Sequence, residues 1–225
     1  MTLKINVLVA SVCAVGVTGC FDQAPAVCSV GRADAHGYAA RYVVKSSTAS
    51  CDPALLDPDR FEEFYLNKYV SPDGSINKIA IRPGAFVTED GSPLDAANDP
   101  LAQGDFTAAY VDDAGQCAVP ALTPSRQDVP GEAEADPVTP TTYQFSNLRF
   151  LSTAEYQGTS MGGELVYTQG DCRLELEMSA LWPGDVSCES DEDCSPENQV
   201  NAAYDTFCSP EGRCLMRNPF PSLKR

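Results

Sequence analysis

Hydrophobic and polar residues alternate most regularly in the stretch Cys172–Leu181. Cys172, Leu174, Leu176, Met178 and Ala180 fall on one side, and Arg173, Glu175, Glu177 and Ser179 on the other. A period of two predicts one buried and one wetted face, as in an antiparallel sheet, and it puts Cys172 on the core side. Residues 164–169 precede this stretch across Gly170-Asp171, which predicts a hairpin. Residues 38–45 repeat the pattern, with Tyr38, Ala40, Tyr42 and Val44 on one face. Residues 61–71 read as extended, although Asp57-Pro58 ahead of Phe61, Phe64 and Tyr65 could open a short helix instead. Pro72-Asp73-Gly74-Ser75 signals a turn that returns the chain as a strand over residues 76–82. Residues 106–111 and 116–122 flank Asp112-Asp113-Ala114-Gly115 as a second predicted hairpin. Residues 120–142, with five prolines and several acids, read as a surface loop or linker, and residues 143–151 resume the strand pattern.

The N-terminus breaks this alternation. Lys4 is followed by residues 5–17, an uncharged run almost unbroken in Val, Ala, Leu, Ile and Gly. The run is too short for a stable membrane span and has the length of a signal-peptide core. It closes on Val17-Thr18-Gly19-Cys20, which resembles the lipobox of bacterial lipoproteins: an aliphatic residue, a small residue, Gly or Ala, then Cys. The resemblance implies that residues 1–19 are a signal peptide that is removed. It also implies that Cys20 becomes the acylated first residue, carrying palmitate-type chains into a lipid bilayer. Each buried CH₂ contributes about 0.8 kcal/mol, so one chain binds marginally and several hold firmly. By the sorting habit of that family, Phe21 at the second mature position implies an outer-membrane address, on the periplasmic or the surface face. Only seven residues separate Cys20 from Cys28, so the folded part is expected to begin close to the bilayer.

Composition narrows the function classes. The mature chain of 206 residues is long enough for one large or two small domains. Its net charge is −18, against −17 for the whole chain, because Lys4 leaves with the signal. So acidic a surface repels phosphate backbones, which argues against nucleic acid as a partner. Of ten cysteines, Cys13 goes with the signal and Cys20 is acylated, leaving Cys28, Cys51, Cys117, Cys172, Cys188, Cys194, Cys208 and Cys214. An even number in an exported chain predicts four disulfides. A zinc site would want tighter spacing and more than the single His36, so neither metal nor cofactor is expected. The symmetric spacing of the last four suggests interleaved bridges, Cys188 to Cys208 and Cys194 to Cys214. The others would then pair as Cys28 with Cys51 and Cys117 with Cys172.

After Trp182-Pro183 the chain becomes polar, poor in aliphatics and dense in cysteine. This predicts a bridge-stapled module over residues 184–216 with a tail over 217–225. With Cys188-Glu189-Ser190-Asp191-Glu192-Asp193-Cys194 the chain resembles cysteine-rich surface lipoproteins of myxobacterial type, over the leader and the last forty residues. That resemblance implies a location more than an activity.

Two motifs carry candidate chemistry. Gly158-Thr159-Ser160-Met161-Gly162 fits the Gly-x-Ser-x-Gly pattern of a nucleophile elbow. Here the glycines precede a strand rather than a helix, and the sole histidine, His36, lies upstream, so a glycine-rich turn or bulge is the plainer reading. The acidic run over residues 189–193 could attract calcium but lacks the glycine and distal glutamate of a known loop. The chain therefore reads as mainly β, an antiparallel β-sandwich or barrel over residues 20–183 followed by the cysteine-rich module. The expected function is that of a membrane-anchored envelope lipoprotein with a non-enzymatic binding or structural role, facing an envelope protein or glycan. The alternatives are a secreted serine hydrolase using Ser160 and His36, or a periplasmic assembly factor.

Overall fold

The strongest alternation forms the centre of the sheet. In the computed structural model, which describes residues 26–31, 36–73, 75–88, 92–95, 98–130 and 138–224, strand β8 (Ser160–Gln169) pairs antiparallel with β9 (Cys172–Leu181). The other strands of the sheet are β1 (Tyr38–Ser47), β2 (Phe61–Val70), β3 (Asn77–Pro83), β4 (Ala102–Asp105), β5 (Gln116–Ala121), β6 (Ser125–Val129) and β7 (Thr139–Leu151). They run in the order β4-β3-β2-β1-β9-β8-β7-β5, with β6 also on β7, and every pairing is antiparallel.

The sheet rolls until its edges almost meet, so of the two expected architectures it is barrel-like. The backbone amide of Thr123 donates to the Gln103 carbonyl at 2.8 Å and that of Thr107 to Ala118 at 2.9 Å, lacing β4 to β5. Gly104 permits this approach, since a Cβ there would stand 2.6 Å from the Ala121 carbonyl oxygen. Closure leaves little unpaired edge to recruit another chain. The interior is packed rather than hollow. Phe64 sets its edge against Phe145 at 5.2 Å and Tyr143 at 6.3 Å, above fully buried Leu66, Ile79 and Ile81.

Three expectations from the sequence are corrected. Residues 106–111 form no strand of the predicted second hairpin; the strand lies upstream as β4, on β3. Its residues are Ala102, Gln103, Gly104 and Asp105, too small and polar to announce a strand. Part of the 120–142 loop is also ordered, as Ser125–Val129 opposite Thr139–Tyr143. Finally, Ser179 is not wetted. It stands opposite Gly162, over which Phe220 packs, and is buried. The extended reading of β2 holds, with a short 3-10 turn at Pro53–Leu56 before it.

Beyond β9 lies the hairpin of β10 (Thr206–Cys208) and β11 (Cys214–Met216). Its buried Val200, Tyr204 and Met216 share a second apolar cluster with Leu151 and Leu181 at the ends of β7 and β9. Arg41 of β1 donates to the Arg217 carbonyl at 2.8 Å and lies over the Phe207 ring at 5.2 Å. The module thus docks on the barrel and borrows two of its leucines. Among the described residues no helix is long and apolar enough to cross a membrane.

Candidate functional site

The antiparallel order gives the barrel two distinct ends. One gathers the end of β2, the start of β3, residues 106–115 and the ends of β7 and β9; residues 26–31 cross it. The Val111 amide donates to Ala26 and the Cys28 amide to Ala109, both at 2.9 Å. The Ser29 amide donates to Ser152 Oγ at 2.7 Å and the Gly31 amide to the Tyr38 hydroxyl at 2.6 Å. That hydroxyl donates onward to the Gly158 carbonyl at 2.5 Å, and burial pushes its pKa far up.

This crossing explains the glycines of the Gly-x-Ser-x-Gly motif. Gly158 has φ +75°, and a Cβ there would stand 2.1 Å from the Ser29 carbonyl oxygen. Ser160 opens β8 opposite Leu181, and its hydroxyl is buried with no hydrogen-bond partner among the described residues. His36 Nδ1 lies 2.7 Å from Asp185 Oδ2, with its ring edge-on to Trp182 at 6.0 Å. No hydrogen bond joins Ser160 to His36. Cys20 and the rest of Val17-Thr18-Gly19-Cys20 lie outside the described residues.

The disulfides correct one sequence expectation. Cys28 bonds Cys117 and Cys51 bonds Cys172, with Cα separations of 5.7 and 4.5 Å, in place of the expected Cys28–Cys51 and Cys117–Cys172 pairs. Sheet order is the reason. Residues 26–28 lie along 109–111, just ahead of Cys117, whereas β1 pairs with β9 and so delivers Cys51 to the start of β9 at the other end. In the module, Cys188 bonds Cys208 and Cys194 bonds Cys214. The Sγ atoms of Cys188, Cys194 and Cys214 lie within 4.8 Å of one another, but all are consumed by disulfides rather than offered as thiolates.

The acidic run is similarly engaged. Asp191 accepts from the Cys208 amide at 2.9 Å and from Arg217 at 2.5 Å; Asp193 accepts from the Glu189 and Ser190 amides at 2.8 and 3.0 Å. These backbone donors hold both carboxyls below their ordinary pKa. The carboxylates cap and staple the module instead of converging on a common point.

At the far end of the barrel, sequence reading missed a buried carboxylate. Glu62 of β2 accepts from the Tyr143 hydroxyl at 2.5 Å and the Tyr42 hydroxyl at 3.0 Å, with Arg60 at 3.7 Å. Its side chain is 9% exposed, and burial raises its pKa despite Arg60, both phenols and the Ala85 amide. The signal was present: Glu62 shares the inward phase of Phe64 and Leu66.

On the outer face of β7, β8 and β9 lies an open groove of about 600 Å³ bordered by Lys45, Arg149, Glu164, Glu177, Gly162 and Phe220. Lys45 pairs with Glu177, and Asn147 donates to Glu164 at 2.6 Å. Both charge signs and one aromatic wall suit hydrogen bonding to a polar ligand.

The MlpA family matches residues 36–183, essentially the barrel. A Myxococcus xanthus protein named as a candidate lipoprotein, MlpA, is 28% identical over 226 residues, covering 92% of each chain. That likeness extends past the barrel. No solved structure matches the chain.

Proposed function

The chain belongs to the MlpA family, and from that membership we propose that it is an envelope lipoprotein, tethered to the outer membrane through acylated Cys20 and acting as a non-enzymatic binding or structural component. The carrying observation is the use of cysteine. Eight of the ten are joined in four disulfides, and the remaining two are Cys13, inside the apolar leader, and Cys20, at the lipobox. The eight described cysteines bond only one another, so none of them competes with acylation for Cys20. The lipoprotein name of the Myxococcus xanthus relative supports the same reading. The burial of the Ser160 hydroxyl without a partner, and the pairing of His36 with Asp185 instead, support a role other than hydrolysis.

Mass spectrometry of the mature chain tests the anchor. The expected N-terminal peptide begins at Cys20 and carries acyl mass, and the protein enters the detergent phase on detergent–water partitioning. Cys20→Ala is expected to move it to the aqueous phase. A mature wild-type chain that is unacylated and stays aqueous overturns the proposal.

A further inference from the structure

We propose that the barrel end crossed by residues 26–31 is a lipid-contacting surface, on which Val27, Tyr69, Val70, Ile76 and Tyr110 rest in the zwitterionic headgroup layer beside the Cys20 anchor. The inference rests on the anchor reading above.

Seven large hydrophobic side chains are exposed among the described residues, and five of them belong to this one end. The other two are Val43, on the flank of β1, and Val138, at the far end. Val27 and Tyr110 face each other across an antiparallel bridge. The amides on either side of that bridge make its hydrogen bonds, so the pair is of the non-hydrogen-bonded kind, with side chains side by side. The β2–β3 hairpin tip is tied to both strands of this bridge. Lys68 donates to the Cys28 carbonyl, and Asn77 Nδ2 donates to the Ala108 carbonyl at 3.0 Å. Val70 stands opposite Asn77, and Ile76 accepts from the Ser71 amide at the tip. Exposed valine and isoleucine at the hairpin tip, with Tyr69 on the outward phase of β2 and Tyr110 in the bridge, gather apolar and amphipathic side chains at one end, as an interfacial contact does.

Chain length identifies the occupant. Six residue steps separate Cys20 from Ala26, a reach of at most about 20 Å when fully extended. A ten-residue strand such as β2 is itself roughly 33 Å long. An acylated Cys20 therefore keeps the bilayer near this end. Charge selects the lipid. The turns around the patch carry exposed Asp73, Asp112 and Asp113, which repel anionic headgroups, so neutral zwitterionic lipid is the complementary surface. The cysteine-rich module occupies the β7 and β9 side of the same end and leaves the β2, β3 and 106–111 side open.

The test uses the acylated full chain in phosphatidylcholine vesicles with brominated acyl chains, which quench tryptophan only at close approach. Val70→Trp, Tyr110→Trp and Val138→Trp are compared, each corrected for native Trp182 with the unsubstituted chain. Quenching at positions 70 and 110 is expected to exceed that at 138 by about twofold or more, and to diminish when anionic lipid is mixed in. Equal quenching at all three positions, in chains that float with the vesicles, overturns the lipid contact while leaving the anchor intact. Floating chains that cross-link to one another through the patch, without quenching, assign it to a second copy and overturn the inference as well. Chains that do not float overturn the anchor itself.

Discussion

Burying a carboxylate is expensive unless its lone pairs are satisfied, and Glu62 shows how the barrel meets that cost. Two tyrosine hydroxyls donate to it, the Ala85 amide adds a third hydrogen bond, and Arg60 stands near. Desolvation still outweighs them, and the folded carboxyl takes up its proton above the ordinary value of 4.5. In the window between that value and the raised one, the folded chain holds more proton than the unfolded chain. The stabilisation from protonated Glu62 is therefore fully present below about pH 4.5 and lost as pH rises through the folded value. Glu62→Gln, neutral throughout, removes this dependence. The unfolding free energy of wild type relative to Glu62→Gln is thus expected to fall as pH rises above about 4.5, read by urea denaturation at a series of pH values. Asp73, held at about 2 first by the Ser71 and Ser75 hydroxyls, acts in the opposite sense and at lower pH, from its ordinary 3.8 downward. The two contributions separate along the pH axis. Glu62→Leu strands both phenols without an acceptor and is expected to cost about 3 kcal/mol.

The two barrel disulfides fasten opposite ends, and their loops differ greatly in length from those of the module. Cys51–Cys172 closes a separation of 121 residues, whereas each module bridge closes 20. Chain-entropy arguments give about 4–5 kcal/mol for the first and about 3 kcal/mol for the second. The double substitution Cys51→Ser with Cys172→Ser is accordingly expected to lower the guanidinium midpoint more than Cys188→Ser with Cys208→Ser. Strands were legible where large residues alternate, as in β1, β7 and β9. They were illegible where the inward residues are small, as with Ala102 and Gly104 of β4 or Ser125 of β6. The pairing of Cys51 was hidden because sequence spacing favours near neighbours, while β1 lies beside β9, from which more than a hundred residues divide it. The resemblance of Val17-Thr18-Gly19-Cys20 to a lipobox is a feature of the sequence alone. The exposed patch was not, since Val27 and Tyr110 become neighbours only through a bridge between distant segments.

At the scale of the whole molecule, barrel and module share one apolar boundary in spite of the change in composition after Pro183, and are expected to unfold together. A bridge-stapled piece of about forty residues has too little apolar mass for a core of its own. This one completes its core with Leu151 and Leu181, which are 4% and 0% exposed. It also hands the Arg217 carbonyl to Arg41 and lays Phe220 over Gly162, where the barrel has no side chain to cover itself. The dependence runs both ways. Ending the chain after Pro183 uncovers both leucines, each worth about 1.5–3 kcal/mol when buried, so the barrel is expected to lose about 3–6 kcal/mol and to bind an apolar dye at its newly opened end. Thermal unfolding of the truncated and complete chains gives the comparison. An unchanged midpoint would show that the leucines find other cover and that the module is an independent appendage. A lowered midpoint makes the module part of the barrel's closure. The disulfides at residues 188–214 then act on the barrel itself, holding shut the end from which the chain leads back toward Cys20.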